Sequence, residues 1–177
     1  AFGTPPADVV GPVWVAAIGW QLASRFADRV RSFTAVSVPH PLAFVAALRS
    51  DPDQRARSLY MKDFGVEGQA EMTLLGDGPN SLTRLFGGVP DSAPYVERMR
   101  DPGALTAGLN WYRAQSLADL QGLSPVTVPT LYVWSDADRA LGEVAARDTV
   151  NHVVGPYRFE VLSGISHWIP EEAHADL

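Results

Sequence analysis

Two apolar segments near the C-terminus each run into a polar loop whose side chains could carry hydrolytic chemistry. Residues 130–138 end in a loop with Asp136 and Asp138, and residues 163–168 contain His167 between a serine and a tryptophan. A carboxylate and an imidazole presented by neighbouring loops are the acid and the general base of a hydrolytic triad. The two loops therefore predict a hydrolase site that still needs a nucleophile.

In such a site the nucleophile lies on a sharp turn between a strand and a helix, upstream of the acid and the base. Residues 10–16 read Val-Gly-Pro-Val-Trp-Val-Ala, so the turn position is Val13, which has no nucleophilic atom. Asp8 lies at the start of the preceding strand and Ser24 lies far along the following helix, so neither lies at the turn. We therefore expect the turn itself to form no covalent intermediate.

The turn and its surroundings resemble the C-terminal part of an α/β-hydrolase of the epoxide hydrolase and haloalkane dehalogenase branch. In that branch the turn reads Gly-His-Asp-Trp-Gly, and the Asp attacks the substrate. Here Gly11 and Trp14 match this motif, whereas Pro12, Val13 and Val15 replace the His, the Asp and the second Gly. The similarity spans nearly the whole chain and fails mainly at the nucleophile.

The resemblance implies roles for the residues of the two C-terminal loops. His167 would be the general base that activates water to hydrolyse an ester formed on the attacking Asp. Asp138 is the favoured partner that orients this imidazole, and Asp136 is the alternative, with a loop-capping role if Asp138 is the acid. Trp14, Val13 and Trp168 would line the substrate pocket.

A third part of the resemblance concerns residues 109–113, which read Leu-Asn-Trp-Tyr-Arg. They are similar to the cap-domain motif whose Tyr polarises the epoxide oxygen, which implies that Tyr112 stabilises a developing alkoxide. The alternative is that Tyr112 only fills the core of the cap. Tyr60 is a weaker candidate for a second pocket tyrosine, because Arg57 falls at the position that the motif gives it.

The element pattern predicts the α/β class, as a partial α/β-hydrolase fold with C-terminal parallel strands, flanking helices and an inserted helical cap. Short apolar runs bounded by proline or glycine indicate buried strands, and a stripe at Ile18, Leu22 and Phe26 indicates a helix that packs on the sheet. Between the second and third strands only short helical patterns occur. The predicted domains are a core over 1–40 and 125–177 and a cap over 41–124.

Composition narrows the function classes. The chain has 177 residues, 46% hydrophobic content, a formal net charge of -6 and no cysteine. A core of useful size is possible, and the lack of a basic run argues against nucleic-acid or anionic-membrane partners. No apolar stretch is long enough to span a bilayer, and a chain without cysteine suits a reducing compartment, so we expect a cytoplasmic protein. No metal-ligand spacing or phosphate loop occurs, so no metal or cofactor is expected.

Members of the branch carry further strands before the turn, including one followed by a loop that helps to form the oxyanion hole. Residues 1–3 resemble the end of the helix before the turn strand, so we expect an incomplete chain: a fragment or a degenerate gene product. The predicted function is an epoxide-hydrolase-like hydrolase for a small apolar substrate, inactive as written. The alternative is a non-catalytic ligand-binding or association protein. The exposed edge of the first strand predicts a homodimer or a complementing N-terminal segment.

Overall fold

Four parallel strands form the centre of the computed structural model, which describes residues 5–177. Each strand is short, rich in β-branched or aromatic residues, and bounded by proline, glycine or a polar loop. In chain order they are β1 (Ala7–Pro12), β2 (Val30–Val36), β3 (Thr130–Ser135) and β4 (Tyr157–Leu162). Their order in the sheet is the same as their order in the chain. The expected helix end at residues 1–3 lies outside the described residues.

The register of the sheet brings all four carboxyl ends to one edge. Pro12 pairs with Val36, Val36 pairs with Val133, and the last residues of β3 and β4 pair with each other. The loops that follow the strands therefore start from neighbouring positions. In open parallel sheets this edge is where functional residues gather.

Ten α-helices occur among the described residues. They are α1 (Trp14–Arg25), α2 (Pro41–Ser50), α3 (Pro52–Arg57), α4 (Tyr60–Phe64), α5 (Gln69–Leu75), α6 (Leu82–Leu85), α7 (Ala93–Arg98), α8 (Ala104–Arg113), α9 (Glu143–Asp148) and α10 (Ile169–Glu172). Short 3-10 turns follow α1, α8, α9 and α10, at Ala27–Arg29, Leu117–Leu120, Thr149–His152 and His174–Asp176. The predicted α/β class is confirmed.

The main core lies where α1 packs on one face of the sheet. Trp20 is fully buried, and its ring meets that of Phe33 edge to face at a centroid distance of 4.9 Å. Gly19 permits this approach, because a Cβ there would lie 2.3 Å from the Phe33 ring. On the opposite face, Val36 and Val133 pack against Ile169 of α10. Both faces near the carboxyl edge are thereby fixed by apolar packing.

The chain divides into two compact units. One contains the described residues up to Arg57 together with Leu120–Leu177, and the other is Ser58–Asp119. The predicted cap begins at 41, whereas α2 and α3 fall in the first of these units. The reason is visible in their packing: Ala43 and Ala47 of α2 are buried, and α2 packs against α9.

The second unit has its own small core. It is formed by Ala70, Leu74, Leu82, Leu105 and Leu109. Arg113 closes this unit by donating to both carboxylate oxygens of Glu71 at 2.9 Å. The Arg113 guanidinium is the main cause that lowers the pKa of Glu71, to about 2.

Among the helices of residues 5–177, none is long and apolar enough to cross a bilayer.

Candidate active site

The turn after β1 keeps an unusual backbone although its side chain is inert. Val13 has φ 48° and ψ -115°, a conformation that β-branched residues rarely adopt. Its amide donates to the carbonyl of Val36 at 3.2 Å, and its own carbonyl accepts from the amide of Ala17. Such strained backbone positions cluster at functional sites, and a strained strand-to-helix turn is the geometry that presents a nucleophile.

Crowding at this turn explains why Gly11 precedes it. A Cβ at Gly11 would lie 2.3 Å from Cγ1 of Val15, so only glycine leaves room for that side chain. Asp8, the carboxylate nearest in sequence, lies at the other end of β1, where Arg31 and Ser32 donate to it. The hydrogen bond from Arg31 is the main cause that lowers the Asp8 pKa to about 2. Asp8 therefore accepts hydrogen bonds at the amino end of β1, at the opposite end of the strand from the turn.

Asp138 follows β3 and is fully buried. Its Oδ1 accepts from the amides of Ala140 at 2.7 Å and Leu141 at 3.0 Å, and its Oδ2 lies 2.7 Å from Nδ1 of His167. Because an ionised carboxylate only accepts hydrogen bonds, Nδ1 of the imidazole carries the proton and donates it. The lone pair of His167 is then on Nε2, where a general base needs it.

Asp136 makes a different set of contacts. Its Oδ1 accepts from the amide of Gly164 at 2.6 Å, and its Oδ2 accepts from Oγ of Ser163 at 2.9 Å. The Gly164 amide, then the Ser163 hydroxyl, lowers the pKa of the Asp136 carboxyl. Asp136 therefore links the loop after β3 to the turn after β4, and Asp138 is the carboxylate that meets the imidazole.

The loop that carries His167 is fixed through its backbone. Oγ of Ser37 donates to the carbonyl of His167 at 2.9 Å, and Oγ of Ser135 donates to the carbonyl of Ser166 at 2.8 Å. Glu172 of α10 accepts from the amide of Ser166 at 2.8 Å and also binds its hydroxyl. The residue after β2, the last residue of β3 and the last residue of α10 thus set the position of the imidazole.

Ser37 also connects this loop to the turn after β1. It directly follows Val36, whose carbonyl accepts from the amide of Val13, and it has a positive φ of 68°. The hydroxyl of Tyr132 donates to the Ser37 carbonyl at 3.0 Å. The nucleophile position and the His167 loop are consequently held by two consecutive residues, 36 and 37.

Two curated relatives resemble the chain over most of its length. The chain is 31% identical to an AB hydrolase superfamily protein of Bacillus subtilis, over 98% of this chain and 64% of that protein. It is 28% identical to Epoxide hydrolase A of Mycobacterium tuberculosis, over 92% of this chain and 63% of that protein. The chain is similar to α/β-hydrolases over nearly its whole length.

Solved structures of α/β-hydrolases support the same fold. A Bacillus megaterium epoxide hydrolase superposes with a TM-score of 0.82 at 22% identity, covering 98% of this chain and 67% of that one. Epoxide Hydrolase A from Mycobacterium thermoresistibile has a TM-score of 0.73 at 25% identity. No known family profile matches the chain. The chain spans about two thirds of these relatives, 64% and 63% of the two from Bacillus subtilis and Mycobacterium tuberculosis.

Tyr60 and Tyr112, the two predicted pocket tyrosines, lie together in the second unit. The Tyr60 and Tyr112 rings meet edge to face at a centroid distance of 6.0 Å, and Phe64 lies 5.0 Å from Tyr112. Tyr112 is half-buried on α8 and Tyr60 is half-buried on α4. This aromatic cluster joins the two helices, so both tyrosines have a packing role whatever else they do.

The predicted pocket residues of the first unit flank the two functional loops. Trp168 precedes α10, and its ring meets the His167 ring at a centroid distance of 5.6 Å and an angle of 78°. Trp14 begins α1 directly after Val13. His40, at the N-terminus of α2, caps that helix by accepting from the amide of Leu42 through Nδ1.

His40 is also an ionisable group in an apolar setting. It is 1% exposed, stacks on His152 at 4.5 Å, and its Nε2 is buried without a hydrogen-bond partner among the described residues. Burial is the main cause that lowers its pKa to about 3, and the nearby His152 adds to it. His40 is therefore neutral at ordinary pH and serves the packing of α2.

Sequence reasoning missed the residues that hold the acid and the base. Ser37, Ser135 and Glu172 fix the His167 loop, whereas Gln54 and Arg57 contact the Asp138 loop. The two serines end or follow strands, which is a usable signal. Gln54 gave none, because a glutamine in a helical stretch is normally exposed. Among the described residues, no group of three or more side chains could hold a metal ion.

Proposed function

We propose that this chain is an epoxide-hydrolase-like part of an α/β-hydrolase, built for a covalent mechanism without a cofactor but lacking the nucleophile. The observation that carries the proposal is Val13 on a strained strand-to-helix turn, in the same sheet edge as the Asp138 and His167 pair. A strained turn is costly to keep, so its presence beside a complete acid and base argues for descent from an active site.

In the proposed ancestral reaction, a carboxylate at position 13 attacks an epoxide carbon and forms an ester while the ring C–O bond breaks. Tyr112 donates a hydrogen bond to the resulting alkoxide oxygen. Nε2 of His167 then takes a proton from water, whose oxygen attacks the ester carbonyl, and Asp138 stabilises the imidazolium. The ester C–O bond breaks, the carboxylate at position 13 is restored, and the product leaves as the diol after protonation by the imidazolium. Val13 cannot perform the first step, so the chain is a pseudoenzyme for small apolar epoxides as it stands.

The test is to restore the carboxylate. Val13→Asp in combination with His167→Gln should accumulate an ester with an aryl epoxide such as styrene oxide, detected as an added mass of one epoxide per chain. Val15→Asp with the same His167→Gln change is the matched control, because it places a carboxylate two residues away and should give no adduct. The unaltered chain should also give none.

Two results would contradict the proposal. An adduct of the unaltered chain on any residue of the Gly11 to Val15 turn would show that a nucleophile is already present. An absence of adduct on a folded Val13→Asp variant that still binds the epoxide reversibly would favour the alternative, a non-catalytic protein that keeps the fold for ligand binding or association.

The edge of the sheet bears on partners. Among the described residues β1 pairs with β2 alone, and Val10 of β1 is 66% exposed. Unpaired backbone beside apolar side chains favours pairing with another strand. We propose that a second copy or a complementing N-terminal segment covers this edge, and that no nucleic acid or membrane does.

Light scattering during size-exclusion chromatography of the purified 177-residue chain tests this proposal, with Val10→Lys as the edge-blocking variant. We expect a dimer or larger species for the unaltered chain and a smaller one for the lysine variant. A well-folded monomer at every concentration would contradict it. The cytoplasmic location, proposed from the absence of cysteine, is tested separately by cell fractionation.

A further inference from the structure

A buried glutamine on α3 brackets the loop that holds the acid. Gln54 has no exposed surface. Its Nε2 donates to the carbonyl of Ala140 at 2.9 Å, and its Oε1 accepts from the amide of Gly142 at 2.8 Å. One side-chain amide thus satisfies two backbone groups, of which the Gly142 amide is buried and the Ala140 carbonyl is partly buried, and this makes the contact costly to lose.

The bracketed residues are the ones that bind the carboxylate of Asp138. The amide of Ala140 and the amide of Leu141 both donate to Oδ1, and the two Gln54 contacts lie at the start and just past the end of this pair. Any shift of residues 140–142 therefore moves the donors that orient the carboxylate. Its other oxygen, Oδ2, is the one that meets Nδ1 of His167.

Arg57, one turn further along α3, adds a second contact. Its guanidinium Nη1 donates to the backbone carbonyl of Asp138 itself, and its Nε donates to Asp53 at 2.6 Å, which fixes the guanidinium. Gln54 and Arg57 together fix the loop after β3 at three backbone positions, those of Asp138, Ala140 and Gly142. These three contacts all reach the loop through its backbone groups.

We propose that Gln54 is a positioning residue for the acid, and that Arg57 supports it. Gln54 keeps Oδ2 of Asp138 directed at the imidazole by fixing the two amides that bind Oδ1. The inference rests on the proposed function for the meaning of the Asp138 and His167 pair as acid and base. The positioning itself can be measured on the chain without any catalytic turnover.

The measurement is the proton resonance of the His167 Nδ1–H group. An imidazole N–H that donates to a carboxylate resonates far downfield and exchanges slowly with water, and the signal is assigned by its loss in His167→Gln. Gln54→Met keeps the side-chain volume and removes both polar atoms. We expect it to speed the exchange of this proton about tenfold, because the hydrogen bond from His167 Nδ1 to Asp138 Oδ2 is weakened. The resonance should also move upfield.

Two controls separate positioning from general stability. Thr149→Val removes another fully buried polar group, one that binds the Ala145 carbonyl and the His40 amide, and it should lower stability while leaving the resonance in place. Arg57→Lys keeps a cationic donor and should behave as the unaltered chain, whereas Arg57→Met should speed exchange by a smaller factor than Gln54→Met.

A folded Gln54→Met variant with an unchanged resonance and exchange rate would overturn the proposal, as would an equal change in Thr149→Val. If Gln54→Met does not fold, the Arg57 pair decides: identical exchange in Arg57→Met and Arg57→Lys overturns it. Failure of the Val13→Asp adduct with a shifted resonance in Gln54→Met would refute the proposed function and leave the positioning role standing.

Discussion

The turn after β1 and the loops after β3 and β4 lie at the same edge of one sheet, yet they are held by different means. The turn is fixed by backbone hydrogen bonds and close packing, with Gly11 against Val15 and a strained φ at Val13. The loops are fixed by side chains, since Asp138 and Asp136 each bind backbone amides nearby. The shape of the turn therefore does not depend on its side chain, whereas the shape of the loops does.

The backbone contacts explain how the turn can keep its shape with valine at position 13. The amide of Val13 donates to Val36 and its carbonyl accepts from Ala17 whatever side chain the residue carries. In the loop after β3, by contrast, replacing Asp138 would remove the acceptor of the buried Leu141 amide, of the partly buried Ala140 amide and of an imidazole N–H. Substitutions in the two regions should therefore have opposite consequences for stability.

The largest expected effect is in the loop after β3. Asp138→Ala should lower the free energy of unfolding by about 3 kcal/mol, because it removes a buried, hydrogen-bonded carboxylate. Asp136→Ala is the matched control in the same loop, and its loss should be clearly smaller because that side chain is exposed. Urea unfolding followed by circular dichroism measures both. Equal losses would break the distinction between the two acids.

The loop after β2 contains both a residue with a positive φ, Ser37, and a buried ionisable residue, His40. The folded-state pKa of His40 is lowered to about 3 by burial. The unfolded chain therefore binds a proton first as the pH falls, so stability is full above the ordinary histidine pKa and decreases below it. The slope contributed by His40 is at most about 1.4 kcal/mol per pH unit.

His40→Asn keeps an acceptor for the Leu42 amide and removes the titration. Urea midpoints between pH 7 and pH 4 should fall less steeply in this variant than in the unaltered chain. His174→Asn makes the same change at an exposed histidine and is the control. If the two variants show the same pH dependence, His40 does not contribute it.

The smallest expected effect is a gain at the turn itself. Val13→Gly removes the strain of a positive φ at a β-branched residue, which stabilises the folded chain, and it adds conformational freedom to the unfolded chain, which opposes this gain. The net result should be a rise of about 1 kcal/mol in the free energy of unfolding. Val15→Gly, two residues on in regular helix, should lower it by about 0.5 kcal/mol. A loss of stability in Val13→Gly would show that the Val13 side chain, not the backbone, holds the turn.

Part of the fold followed from local patterns. Short apolar runs bounded by proline or glycine predicted buried strands, and the structure has four parallel strands among its described residues. Strands are read well here because each is a short apolar run ended by proline, glycine or a polar loop. The predicted cap begins at 41, whereas α2 and α3 fall in the same compact unit as the sheet. Which unit a helix such as α2 joins depends on its tertiary neighbours.

The residue types alone set which side chains are available at this edge of the sheet: an imidazole, two candidate carboxylates after strands, and Val13 at the turn. Only the tertiary structure decided which carboxylate meets His167, because two acids two residues apart on one loop differ in where the backbone turns them. It also decided that Gln54 is buried against the Asp138 loop. Such contacts join residues about 85 positions apart, and no local pattern encodes a separation of that kind.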